Sequence, residues 1–238
     1  MQEISNLKSN ITNLKRYTVI VAGGTGTRMQ SAIPKQFLLL NGKPVLMHTI
    51  ENFHSVTPAP VILLVLHSDF HAYWKQLCEE HRFEIPHQLV AGGETRFHSV
   101  KNSLAHIPNE ALVAVQDAVR PLTDLSVIEE AYQCAAQSGS AVTAVKSRDS
   151  VRQQKEGTSV ALIRDEIYLV QTPQTFIAGI LKQAYEQPYT DAFTDDASVA
   201  EKNGVKIKLV EGSYRNLKIT FPEDIAIAEL LLKQKSHL

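Results

Sequence analysis

The 238-residue chain is long enough for one large domain, or one domain with a small appendage. Its 24 basic and 25 acidic residues leave a formal net charge of −1, so no global field draws it to nucleic acid or an acidic membrane. No apolar run nears the ~20 residues of a membrane span, and Cys78 and Cys134 lack metal spacing, which predicts reduced packing residues.

Met1 to Lys15 is polar and lacks the apolar stretch of a signal peptide, so a cytoplasmic location is expected. The apolar run Tyr17 to Val21 predicts a buried strand. It leads into Ala22-Gly23-Gly24-Thr25-Gly26-Thr27-Arg28-Met29, with Pro34-Lys35 close behind. A glycine loop after a strand lets backbone N–H groups close around phosphate oxygens, where a Cβ would hold the ligand off. Arg28 and Lys35 add two cations beside that loop, so it suits a nucleoside triphosphate. A plain connecting turn would need neither the three glycines nor the cations. The spelling is not that of a Walker loop, and Met29 stands where a dinucleotide fingerprint needs its third glycine.

Further along, Val61–Leu66 predicts a strand, 70–81 a helix, His87–Val90 a strand and 95–107 a helix. Ala111–Val115 predicts a strand, 126–138 a helix and Ala141–Val145 a strand. This alternation predicts an α/β fold, doubly wound around a mainly parallel sheet. Ligands of such sheets sit at the carboxyl ends of the strands, where the glycine loop and Gln116-Asp117 both fall. Gly92-Gly93-Glu94-Thr95-Arg96-Phe97-His98-Ser99 combines a glycine turn with a helix start and could hold a base edge. The carboxylate of Asp117 and the guanidinium of Arg120 could meet a polyol, a metal or a phosphate, or simply pair with each other.

Residues 146–169 break the rhythm. Two strand-like arms flank a polar turn at 153–157, with no helix to cover them. A lone hairpin is marginal in water, which predicts packing on another subunit. Gln171-Thr172-Pro173-Gln174-Thr175 reads as a polar turn entering a helix, and Thr194 to Ser198 as a helix start with favourable acids. Asn216 to Thr220 reads as an alternating strand carrying Lys218. The nine histidines predict no zinc site.

Taken together the chain resembles the cytidylyltransferases that act on 2-C-methyl-D-erythritol 4-phosphate. The markers occur in order from about Tyr17 to Leu232: the glycine loop, Pro34-Lys35-Gln36, Gly92 to Arg96, Asp117 to Pro121, Arg148 to Ser150, Thr172 to Gln174, Thr194 to Ser198 and Asn216 to Thr220. The resemblance implies a Rossmann-like nucleotidyltransferase fold, a single domain over 1–238 with an inserted β-arm at 146–169. It implies a homodimer exchanging those arms, CTP and a polyol phosphate as substrates, and Mg²⁺ held mainly by the CTP phosphates, with Asp117 as a possible ligand. It assigns Arg28 and Lys35 to the transition state, and Arg164 and Lys218 to orienting the substrate phosphate. Asp117, Arg120, Ser150, Thr172 and Thr194 would line the substrate pocket. Ala22, Gly23, Gly24, Gly26, Gly93, Glu94 and Ser99 would hold CTP.

Three positions depart from the family's habit: Gln116 for His, Ser150 for Thr and Val119 for Ala. Gln116 leaves room for a different polyol. A ribitol 5-phosphate cytidylyltransferase, which shares the glycine loop, the Thr172 to Phe176 run and the Asn216 to Thr220 run, is the nearer alternative. A catalytically silent nucleotide-binding protein is the more distant one.

Overall fold

The computed structural model describes residues 14–22 and 33–235. In chain order these form β1 (Arg16–Val21), β2 (Leu39–Leu40), β3 (Lys43–Pro44), α1 (Val45–His54), β4 (Val61–Leu66), α2 (His71–Glu80), β5 (Gln88–Ala91), α3 (Arg96–Leu104) and β6 (Leu112–Asp117). There follow α4 (Leu125–Ser138), β7 (Ser140–Lys146), β8 (Arg152–Lys155), β9 (Thr158–Ala161), β10 (Tyr168–Ile177), α5 (Ala178–Ala184), α6 (Asp196–Lys202), β11 (Leu209–Glu211) and α7 (Glu223–Lys235).

Seven strands form one sheet in the order β11-β7-β10-β6-β1-β4-β5. All neighbours run parallel except β10, which is antiparallel to both β6 and β7. The expected α/β fold and mainly parallel sheet are therefore present. Strand residues alternate between two cores. Ile62, Leu64 and Leu66 join Ile20, Trp74 and Tyr132 on one face. Leu63 and Val65 join Val19, Val113 and Phe97 on the other. Burial on both faces is why these strands read as unbroken apolar runs.

A third, smaller cluster sits at the carboxyl rim, where Val119, Leu122 and Ile219 pack with Leu40, Val45 and Ala228. It ties the loop after β6, the 216–220 segment and α7 together. Residues 216–220 form no strand. Their buried positions are Asn216 and Ile219, three apart, so the apparent alternation was misleading. Gln171 to Thr175 is likewise no turn but the buried middle of β10. The register against β7 slips between Val170 and Gln174, and Pro173 lies in that irregularity. There its missing N–H takes no place in the ladder.

The hairpin at 146–169 is present, but its turn is only Glu156-Gly157, both at positive φ. Residues 152–155 belong to β8, and every residue of β8 and β9 is exposed. His67 and His71 stand four apart yet face different partners: His67 contacts Asp69, and His71 bonds to the Leu66 carbonyl. No described helix is long and apolar enough to cross a membrane.

Tyr132 pins α4 to the first strand. Its buried hydroxyl donates to the Tyr17 carbonyl and meets Thr18 Oγ1, both at 2.8 Å. Tyr132→Phe removes this donor from the Tyr17 carbonyl and the buried partner of the Thr18 hydroxyl. Urea unfolding should then show a stability loss of about 1–3 kcal/mol, with the slope unchanged.

Candidate active site

Two adjoining cavities open at the carboxyl rim. The first, about 260 Å³, lies at the ends of β1 and β6, against the turn after β5 and the start of α3. Ala22, Lys35, Gly93, Glu94 and Ser99 all line it. The second, about 270 Å³, is lined by Arg120, Thr172 and Thr194, together with Gln171, Gln174 and Asp195. Arg96, Asp117 and Lys218 line both. The two cavities are therefore one cleft with these three side chains at its waist.

Each wall has a local cause. Thr95 caps α3 and Ser99 Oγ accepts the Gly93 N–H at 3.0 Å. A Cβ on Gly93 would collide with the His98 Cβ and come within 3.0 Å of its carbonyl carbon, so only glycine lets this turn lie on the helix. Gln36 Nε2 donates to the Ala22 carbonyl at 2.9 Å, which fixes the end of β1. Lys35 Nζ donates to the Ile219 carbonyl at 3.1 Å and so leans across the first cavity. Gln174 bonds to Asp195 at 2.9 Å and to the Ala197 N–H at 2.8 Å, docking the start of α6 onto β10. Asp195 also closes a capping box with Ser198.

Asp117 is the last residue of β6, not a loop residue beyond it. Its Oδ2 meets Lys218 Nζ at 3.0 Å and Arg120 Nε at 3.2 Å, and its Oδ1 lies 3.9 Å from Arg96 Nε. Burial alone would raise its pKa. Arg96, Lys218 and Arg120 outweigh that and hold the carboxyl at about 2. Asp117 is thus a fixed anion near neutral pH.

Arg96 is the site residue that sequence reasoning missed. Its Nη2 donates to Asp196 Oδ2 at 2.6 Å, and the Tyr185 hydroxyl donates to Asp196 Oδ1 at 2.7 Å. Asp196 is fully buried. The guanidinium is so held from behind, with its Nε side toward Asp117. Burial disfavours the charge on Arg96, but Asp196 and then Asp117 more than restore it. The partner stands 100 positions away, so no local pattern could reveal it. Only the joint presence of Gly92 to Arg96 and Thr194 to Ser198 hints at the pair.

Other candidates fall elsewhere. Gly23, Gly24, Gly26 and Arg28 lie outside the described residues. Ser150 and Arg164 are exposed at the hairpin and line neither cavity; Arg164 Nε is 3.9 Å from Asp165. Gln116 is fully buried and donates to Thr123 Oγ1 at 3.0 Å. It lines neither cavity. Among the described residues no group of three or more His, Cys, Asp or Glu could hold a metal ion.

Residues 17–234 match the family described as IspD, 2-C-methyl-D-erythritol 4-phosphate cytidylyltransferase. The chain belongs to this family. The enzyme of that name from Phocaeicola vulgatus is 48% identical over 92% of this chain and 100% of its own. That from Bacillus velezensis is 37% identical over 92% of this chain and 96% of its own. The crystal structure of the 4-diphosphocytidyl-2C-methyl-D-erythritol synthase from Anaerococcus prevotii superposes with a TM-score of 0.81 at 27% identity, covering 94% of this chain and 99% of that one. The Francisella tularensis member superposes with a TM-score of 0.75 at 32% identity, covering 91% and 99%.

Replacing Arg96 by Met should strand the buried Asp196 carboxylate and cost about 3–5 kcal/mol, the usual toll of breaking a buried ion pair. Arg96→Met with Asp196→Asn removes both charges and should melt closer to wild type than Arg96→Met alone. Thermal melts of the three chains check this. Equal melting of Arg96→Met and wild type would contradict the pairing.

Proposed function

We propose that the cleft around Asp117 is where this family member transfers CMP from CTP to 2-C-methyl-D-erythritol 4-phosphate, giving 4-diphosphocytidyl-2-C-methyl-D-erythritol and pyrophosphate. The family supplies the activity and its place in isoprenoid biosynthesis. The observation that carries the siting is the shared waist: one cavity for each substrate, with Arg96, Asp117 and Lys218 common to both. The bond that forms must lie where the two cavities meet. A phosphate oxygen of the polyol phosphate attacks the α-phosphorus of CTP, and the bond to the bridging oxygen breaks as pyrophosphate leaves. The nucleophile is already an anion near neutral pH, so no general base is needed. The work is positioning and charge stabilisation.

Gly93, Glu94 and Ser99 would face the base, with Ala22 and the glycine loop Gly23, Gly24 and Gly26 around the triphosphate. Arg28 and Lys35 would meet charge on the transferring phosphoryl group. Lys218 would meet the attacking phosphate. Asp117, Arg120, Thr172 and Thr194 would take the polyol hydroxyls. The protein side of the cleft does not fit a metal cage, because Asp117 is committed to three cations. A divalent cation would arrive on the CTP phosphates, as Mg²⁺ commonly does. A cytoplasmic location suits this chemistry.

The second part of the proposal is a homodimer with exchanged arms, built on a single domain with 146–169 inserted. Val160, Leu162, Ile163, Tyr168, Leu169 and Val170 are exposed apolar side chains along the hairpin and its root. An apolar patch of that extent asks for a partner. Ser150 and Arg164 do not reach their own cleft and would complete the partner's.

Pyrophosphate release should be fast with CTP plus 2-C-methyl-D-erythritol 4-phosphate, and slow with ribitol 5-phosphate or with ATP. Lys35→Ala should lower kcat by about 10²-fold or more, the scale for losing one preorganised donor, with a smaller effect on CTP affinity. Weakened CTP binding at unchanged kcat would mean that Lys35 only binds nucleotide.

Arg164→Ala and Lys218→Ala should each be nearly inactive. Mixed and re-associated in equal amounts, half the dimers are heterodimers, and each holds one site with both residues intact. Activity should return to roughly a quarter of wild type on that two-fold geometry. A mixture that stays inactive, with heterodimers verified by mass, would rule out the exchanged arm.

A further inference from the structure

Arg120, Thr172 and Lys218 reach the cleft from three separate stretches of chain, and one buried residue joins them through its side chain and its backbone. Asn216 is 1% exposed. Its amide nitrogen donates to the Thr172 carbonyl at 2.8 Å and to Gln171 Oε1 at 3.2 Å. Its amide oxygen accepts from the Thr123 hydroxyl at 2.9 Å. The Thr172 carbonyl can only accept, which fixes which end of the amide is nitrogen. The backbone carbonyl of Asn216 accepts from Arg120 Nη1 at 2.7 Å, and its N–H donates to the Ser213 carbonyl at 2.9 Å.

The surroundings leave this side chain no slack. Gln171 Nε2 donates to the Ser213 carbonyl at 2.9 Å, and Gln116 Nε2 to Thr123 Oγ1 at 3.0 Å. A Cβ on Gly212 would lie 2.5 Å from Gln171 Oε1 and 2.9 Å from the Thr143 methyl, so glycine there is what lets Gln171 reach Asn216. Lys218 follows two residues later on a segment with no regular structure. That segment is otherwise held by the Ile219 N–H on the Val119 carbonyl at 2.9 Å and by the burial of Ile219.

We propose that Asn216 is a positioning residue for the transfer reaction: it locks Lys218, Arg120 and Thr172 into one rigid unit, so that Lys218 Nζ stands where the two cavities meet. This rests on the reading of Lys218 as the partner of the substrate phosphate. A lysine is a point charge on a flexible stem. Its ammonium is placed only as well as its backbone is placed. Displacements of about 1 Å in such sites can cost about 10²-fold in rate, so the anchor matters as much as the charge.

Asn216→Asp tests it with almost no change of shape. The substitution turns the donor end into an acceptor facing two acceptors, Gln171 Oε1 and the Thr172 carbonyl. Kinetics and melting are measured in wild type and in Lys218→Met. Asn216→Asp should lower kcat/KM for the polyol phosphate by about 10-fold or more, with KM for CTP changed by less than about threefold. In the Lys218→Met background the same substitution should cost no more than about twofold, since residues acting as a unit are not additive. If Asn216→Asp does not fold, Thr123→Val carries the test. It removes the donor to the Asn216 amide oxygen and should give a smaller loss with the same non-additivity. The proposal falls if the full loss reappears in Lys218→Met, or if a folded Asn216→Asp keeps wild-type kcat/KM. A Lys218→Met chain of wild-type activity would instead overturn the reading of Lys218, and this proposal with it.

Discussion

Three cations within 4 Å of one another's partner would not stay together without Asp117. Arg96, Arg120 and Lys218 all converge on its carboxylate, at 3.9, 3.2 and 3.0 Å. A negative charge in the middle of a site for two polyanions looks like an obstacle. It is what allows the positive charges to be there at all, because like charges at that spacing repel strongly where water is scarce. With Asp196 behind Arg96, three positive charges face two negative ones, so 3 − 2 leaves one positive charge at the waist of the cleft. The chain as a whole carries −1. Attraction for phosphate is therefore a property of this cluster and not of the surface.

The cluster depends in turn on the one reversed strand of the sheet. Because β10 runs antiparallel between β6 and β7, its irregular middle lies beside the end of β6. Thr172 Oγ1 accepts the Asp117 N–H at 3.1 Å from there. One step on, Gln174 holds the start of α6 through Asp195 and Ala197. That start delivers Asp196 to Arg96. A break in the β10 register thus reaches Asp117 by two routes, directly through Thr172 and indirectly through Asp196 and Arg96.

Much of this was legible in the sequence, and the misses share one cause. β1, β4, β6 and β7 are buried on both faces and declare themselves as apolar runs. Gln171 to Thr175 is buried just as deeply, but its side chains are mostly polar, and Gln171, Thr172 and Gln174 find hydrogen-bond partners in the Ser213 carbonyl, the Asp117 N–H and Asp195. A strand whose core is a hydrogen-bond network spells like a turn. Asn216 misled in the same way: its burial is polar, so the 216–220 segment borrowed a strand's alternation from Leu217 and Ile219. Arg96 was given no role of its own because Asp196 is remote in sequence. Hydrophobic pattern finds the scaffold, while buried polar pairs of long separation build the site, and no local window contains both partners.

The hairpin carries the same logic outward. Within one chain the first cavity has its own walls, and the second cavity has Arg120, Thr172, Thr194 and Lys218. The cations and hydroxyls that the family pattern adds, at Arg164 and Ser150, lie on exposed backbone beyond the last buried residue of β7. β8 and β9 contribute no core, yet β9 and the root beyond it hold apolar side chains up to 66% exposed at Ile163. Such a segment gains burial against a second surface. If the arm is ordered by a partner, as proposed above, completion of the second cavity is tied to assembly.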